Sequence, residues 1–230
     1  MIAGLYIAVI IIGYFLGSLP FGVIIGRVMG KTDIRNIGSG KTGMTNVMRA
    51  AGKKGAALSL VFDLGKGALA VYIANLIFGT VDINGYPAMT MYFAQVVAAL
   101  AAIAGHSWSV FLKFRGGRGV NTFLGALFVM FWPAAIGGGF IMIFIGLITR
   151  YMSLGSITGA VVAFVMLIVL NYFKVDFLNL YPHIEYVIYT MIGSIFIYIM
   201  HRDNIRRLVT GKERKLGEKT GTENLSITGN

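Results

Sequence analysis

Apolar runs long enough to cross a bilayer occupy about residues 2 to 27, 55 to 79, 88 to 106, 152 to 171 and 184 to 200, and one longer apolar stretch runs from 120 to 149. A hydrocarbon core of about 30 Å needs roughly twenty apolar helical residues, so five of the six runs read as single spans. The sixth does not. Thirty helical residues rise about 45 Å, too much for one untilted crossing and too little for two full ones. With 57% hydrophobic and 13% charged residues, the chain lacks the charged surface of a water-soluble globule and reads as an integral membrane protein. The first run has no basic segment before it and exceeds the apolar core of a signal peptide, so it is kept as a span.

Charge decides how the sixth run crosses. If it breaks at Trp132-Pro133 and the Gly137-Gly138-Gly139 run and crosses twice, eighteen of the twenty Lys and Arg share one face, with Lys66 inside a span and Lys174 alone opposite. A single crossing would export the seven cations that follow His201. The positive-inside rule therefore predicts an all-α polytopic membrane protein. It is a seven-transmembrane-helix bundle with some short or broken helices, N-terminus outside and C-terminus cytoplasmic. The net charge of +11 then belongs to topology and calls for no nucleic acid. Residues 1–215 form a single domain, and 216–230 are expected to be a flexible cytoplasmic tail.

The cytoplasmic loops are chemically rich. Residues 35–49 hold three glycines (Gly38, Gly40, Gly43), three hydroxyls (Ser39, Thr42, Thr45) and three cations (Arg35, Lys41, Arg49). Glycines let backbone N–H groups converge, hydroxyls add donors and Arg adds a planar fork, a composition suited to phosphate. Gly40-Lys41-Thr42 is not the end of a P-loop, because Arg35 stands where that motif needs glycine and an apolar helix stands where it needs a strand. In the second loop, Gly116-Gly117-Arg118-Gly119 directly precedes a helix, where free N–H groups and a guanidinium make a second anion site. A third polar set follows the last span, where His201 and Asn204 share a helix face. Anionic lipid explains the nearby Arg206 and Arg207 but not a His and an Asn at the membrane boundary.

Asp63 and Lys66 lie three apart within a span, either a functional pair or a structural ion pair that orients the helix. His106 ends a helix beside aromatics, the usual setting of a structural histidine. The absence of cysteine removes disulfides and thiolate chemistry, and His106, His183 and His201 are too scattered for a zinc site.

Taken together, the motifs run from Gly17-Ser18-Leu19-Pro20-Phe21-Gly22 through Asp33-Ile34-Arg35, Gly38-Ser39-Gly40, Thr45-Asn46 and Arg49. They continue with Asp63 and Lys66-Gly67, Gly105-His106 to Val120, Arg150-Tyr151, Ser153-Leu154, Ser156, and His201-Arg202 with Asn204 to Leu208. In this order, over about residues 10 to 215, the chain resembles the bacterial acyl-phosphate:glycerol-3-phosphate acyltransferase family, small seven-span membrane enzymes. It departs from the family where Lys41, Met44, Arg118 and Asn121 replace the usual Asn, Ala, Lys and Ala.

The resemblance implies transfer of a fatty acyl group from acyl phosphate to the sn-1 hydroxyl of glycerol 3-phosphate. The products are 1-acyl-glycerol 3-phosphate (lysophosphatidic acid) and phosphate, made for phospholipid biosynthesis. It implies no cofactor, no metal, no coenzyme A and no acyl carrier protein. The location is the bacterial inner (plasma) membrane, with the active site at the cytoplasmic face. Ser39 and Arg49 would hold substrate and stabilise charge, and His201 with Asn204 would complete the catalytic set. Gly38, Gly40, Thr45 and Asn46 would bind phosphate in the first loop, and Gly116, Gly117, Arg118 and Gly119 in the second. Lys66 and Ser156 are further substrate-binding candidates. Either His201 or the substrate's own phosphate takes the hydroxyl proton. A transporter or channel for phosphorylated anions is the alternative, but it predicts polar groups strung through the membrane, whereas here they gather at one face.

Overall fold

The computed structural model describes residues 2–79, 89–177 and 180–218. The first apolar run is divided into α1 (Ile2–Ser18) and α2 (Phe21–Gly30) at Leu19-Pro20, since proline has no N–H to continue a helical ladder. The carbonyls freed there are used by other segments: Ser109 Oγ donates to Ser18 O (2.6 Å) and Lys66 Nζ to Leu19 O (3.4 Å).

A 3₁₀ turn at Ile34–Asn36 leads into α3 (Met44–Gly79), in which Gly52 takes a left-handed φ of 69° and separates the first two turns from the long limb. Then come α4 (Met89–Ser107), a 3₁₀ turn at Val110–Leu112, α5 (Val120–Thr149), α6 (Met152–Tyr172), α7 (Ile184–Met200) and α8 (Arg202–Val209). The last two meet at 61° around His201. The chain is all-helical, with five helical stretches long and apolar enough to cross a membrane, or six if α7 and α8 form one broken span.

Large apolar side chains such as Ile7, Phe15, Phe140 and Ile148 point outward, at least half exposed, as a lipid-facing surface requires. The interior packs Val71, Ile103, Phe123, Leu127, Leu167 and Tyr189. Lipid tails are as apolar as these side chains, so helix association depends on close contact between small residues. Gly17 of α1 lies against the Ala102 carbonyl of α4, where any Cβ would collide.

α5 is a folded-back pair, not a rod. Phe131 leaves the helical region (φ −157°, ψ 85°) two residues before Pro133. A Cβ placed on Gly139 would lie 3.9 Å from the Leu124 side chain, whereas fifteen residues of straight helix would separate them by about 22 Å. The expected break is therefore present but sits at Phe131. Gly137–Gly139 stay helical, because Gly138 is needed for close packing on Gly159 of α6.

Of the expected tail 216–230, residues 219–230 lie outside the described residues. Leu216 is held to Arg150, its N–H donating to Arg150 O (2.7 Å) and its carbonyl accepting from Arg150 Nη2 (3.0 Å).

Candidate active site

The first loop is tied before it binds anything. Asp33 accepts from the Arg35 backbone N–H (3.0 Å) and pairs with Arg35 (2.7 Å) and Arg27 (2.9 Å). Bonds from Arg35 and Arg27 hold the Asp33 carboxyl far below the usual carboxylate range against the opposing effect of burial. The Arg35 guanidinium is thus engaged by Asp33 within the loop, which takes it out of the anion-binding set that composition suggested. Asn46 Nδ2 donates toward three carbonyls, Ile34 O (2.6 Å), Ile37 O (2.9 Å) and Lys41 O (2.9 Å), so its amide fastens the loop. Gly38 and Gly40 take φ of 55° and 68°, and a Cβ on Gly38 would press on Asn46 Oδ1 and Arg49 Nη1. The glycines make room for a guanidinium.

The second loop departs from expectation. The Gly116 and Gly117 N–H groups donate to the Ser107 and His106 carbonyls (3.0 Å each), so they cap α4 and do not present a nest to an anion. The expected amide cradle is corrected accordingly. A side chain on Gly117 would also strike His106 Nε2. What the loop delivers is Arg118, followed by Gly119 at φ 80° starting α5. Burial draws the Arg118 guanidinium down to about 10, opposed by Glu213, so it stays cationic at neutral pH. Lys41 is lowered by burial and by Arg118. The side-chain Nε atoms of both Arg49 and Arg118 are buried without a protein partner.

The third set closes the site. His201 Nδ1 lies 2.8 Å from Ile197 O, which can only accept, so the neutral ring keeps its hydrogen there and Nε2 is the acceptor. Asn204 Nδ2 donates to Glu213 Oε1 (2.6 Å), Ser153 Oγ to the same oxygen (2.8 Å), and Arg207 Nε to Oε2 (2.8 Å). Burial works to raise the Glu213 carboxyl, but these bonds outweigh it and keep it below the usual range. Glu213 is the residue sequence reasoning missed. Its signal was an acid set between cations, Lys212 on one side and Arg214 and Lys215 on the other, in the basic stretch after the last span.

These groups line a polar cavity of two lobes, about 80 and 70 Å³. Ser39, Thr45, Arg118, Met152, Ser156 and His201 border both lobes, while Arg49 and Asn204 border the second, and Asn46 and Gly119 the first. Gly38, Gly40, Gly116 and Gly117 shape the loops behind them. Lys66 itself borders neither lobe: it pairs with Asp63 (2.8 Å), whose same oxygen faces His106 Nδ1 (3.5 Å), and Asp63 and His106 border both the first lobe and a small void of about 10 Å³ that Lys66 also lines. Ser156 Oγ donates to Met152 O (2.8 Å), leaving its lone pairs for the cavity.

Next to the polar cavity, α3 and α5 enclose an apolar groove of about 500 Å³ with no charged side chain in its lining. Met44 and Met142 border both compartments.

An all-helical membrane protein whose cation-lined cavity adjoins an apolar groove, with Met44 and Met142 bordering both, is suited to an amphiphile with an anionic head. Residues 7–211 match the family described as glycerol-3-phosphate acyltransferase, and the chain belongs to that family. It is 48% identical to glycerol-3-phosphate acyltransferase 3 of Dehalococcoides mccartyi, over 96% of this chain and 100% of the relative. It is 39% identical to the glycerol-3-phosphate acyltransferase of Rhodopseudomonas palustris, over 94% and 98%. Among solved structures it is similar to the integral membrane glycerol 3-phosphate acyltransferase PlsY (YgiH). The glycerol 3-phosphate form superposes with TM-score 0.77 at 34% identity, covering 92% of this chain and 96% of that one. The lysophosphatidic acid form gives 0.75 at 33%, covering 91% and 94%.

Proposed function

We propose that this protein acylates the sn-1 hydroxyl of glycerol 3-phosphate with a fatty acyl phosphate, for phospholipid synthesis. The observation that carries the reading is the junction at Met44 and Met142, where a phosphate-sized polar cavity meets an apolar groove. An acyl phosphate has that division of character, with its carbonyl at the boundary. The family membership and the names of the relatives support the acceptor.

In this reading the acyl chain lies between α3 and α5, and the donor's phosphate sits among Ser39, Lys41, Arg118 and the start of α5. Glycerol 3-phosphate enters from the water side, where a surface depression of about 510 Å³ lined by Arg150, Lys212 and Lys215 shares Glu213 with the cavity. Its phosphate pairs with Arg49 and Arg118, and His201 Nε2 accepts a hydrogen bond from its hydroxyl. The hydroxyl oxygen attacks the acyl carbon, the new ester C–O bond forms, the C–O bond to phosphate breaks, and the hydroxyl proton ends on the released phosphate. The donor is already activated, so positioning, which contributes about 7–11 kcal/mol in favourable cases, and charge stabilisation carry the catalysis. Glu213 holds Asn204 and Arg207 in place and is a positioning residue.

We further infer seven membrane crossings, with α5 contributing two. Its limbs of about 16 and 27 Å reach different depths, and this count leaves the three polar sets on the cytoplasmic side with the C-terminus. Residues 219–230 then continue as a cytoplasmic tail.

The test is acyl transfer by the purified, detergent-solubilised protein given radiolabelled glycerol 3-phosphate with palmitoyl phosphate or palmitoyl-CoA in parallel. Labelled lysophosphatidic acid from the acyl phosphate alone is expected. Product from the thioester alone would reject the donor, and product from neither with folded protein would favour the transport reading.

A further inference from the structure

We propose that Met44 and Met142 form a doorway that makes the enzyme select its donor at the carbon next to the carbonyl, leaving the far end of the chain unmeasured. This rests on the acyl-phosphate reading above and names what that site discriminates.

Among the described residues, these two methionines are the side chains common to the polar cavity and the groove. They are held differently. Met142 is 6% exposed, and α6 clamps its backbone, with Gly155 packed on the Met142 carbonyl and Gly159 on its Cβ. Met44 is the first residue of α3, half-buried, and follows Gly43, beside which a Cβ would meet nothing within 4 Å. One side of the doorway is fixed and the other can swing. Unbranched thioether side chains fit around a methylene chain easily, but a branch between them must displace one.

The rest of the groove is built oppositely. A Cβ on Gly65 would also meet nothing within 4 Å, so the floor is open there. Along the rim Val61, Phe128, Ile136 and Ile143 are each half exposed or more, and in a bilayer this side faces lipid. No polar side chain lines it. A tail that outgrows the groove continues into the bilayer. Selection therefore falls on the two or three carbons that cross the doorway.

The experiment compares kcat/KM for palmitoyl phosphate, 2-methylpalmitoyl phosphate and 15-methylpalmitoyl phosphate, with myristoyl and stearoyl phosphates as a length series. The wild-type protein should disfavour the 2-methyl donor by at least about tenfold, the scale on which an apolar site weighs one methyl group. The tail-branched donor and the length series should stay within a few-fold of palmitoyl phosphate. Met44→Ala should collapse the 2-methyl discrimination towards unity whatever it does to palmitoyl phosphate itself. Because Met142 is buried, Met142→Leu, which conserves volume, serves as its partner and should retain the discrimination. Equal use of the 2-methyl donor by wild type, an unchanged ratio in Met44→Ala, or a sharp length cut-off would each overturn the doorway while leaving the reaction intact. Product from none of the acyl phosphates would overturn the donor reading and the doorway together.

Discussion

In the loop between α2 and α3, Gly38 and Gly40 turn the backbone left-handed so that Arg49 lies close beneath it, and Asn46 ties the carbonyls together. In the loop between α4 and α5, Gly116 and Gly117 give their amides to the end of α4 and hold Arg118 over the cavity. Similar glycine content thus does two jobs. One loop is folded from inside by an asparagine and the other is fixed from outside by a helix terminus. Both end in the same result, a half-buried arginine whose Nε is buried and unpartnered. Under the proposed function, the anion-binding charges are these two arginines, with the backbone as their mount.

The strongest way to break this comparison is to remove the shared part. Arg49→Ala or Arg118→Ala should lower kcat/KM for acyl transfer by about 10²–10³-fold, the loss typical of deleting one charge-stabilising donor, while the protein stays in the membrane. Near-normal activity in either would take that loop out of the site. Next comes the internal fastening: Asn46→Asp replaces a donor facing three carbonyls with an acceptor, and should cost about 3 kcal/mol in denaturant or thermal unfolding. An unchanged transition would mean that the loop holds without it. The external mount is tested by Gly117→Ala, whose methyl meets the His106 ring and should cost about 1–3 kcal/mol by overpacking. If that variant kept stability and activity, the second loop would not depend on α4. The smallest effect is expected for Arg118→Lys, which keeps the charge and loses the fork, and should change the KM for glycerol 3-phosphate by less than about tenfold. A loss as large as that of Arg118→Ala would show that the planar fork itself is required.

Much of this was legible in the sequence for a physical reason. Spans declare themselves by hydropathy, and Ser39, Arg49, Arg118, His201 and Asn204 stand out because polar groups at a membrane boundary need a purpose. The doubling back of 120–149 followed from counting cations. What stayed hidden depends on partners distant in the chain. Glycine announces freedom of φ but not where its N–H points, so the amides of Gly116 and Gly117 could not be assigned to α4 beforehand. Arg35 and Asn46 look like ligand-binding residues until the carboxylate and carbonyls that occupy them are known. Glu213 was masked by the cations around it, and its partners Ser153 and Asn204 arrive from α6 and α8.

In the proposed reaction the groove between α3 and α5 carries the acyl chain to the polar cavity. The direct measurement is photo-crosslinking with an acyl phosphonate bearing a diazirine near mid-chain, followed by peptide mapping. Adducts on the α3 segment around Val61 to Ala68 and on α5 around Phe128 to Ile143, suppressed in Gly65→Phe, are the predicted result. Adducts on the outer face of α1 around Ile7 and Ile11, equal in both proteins, would contradict it.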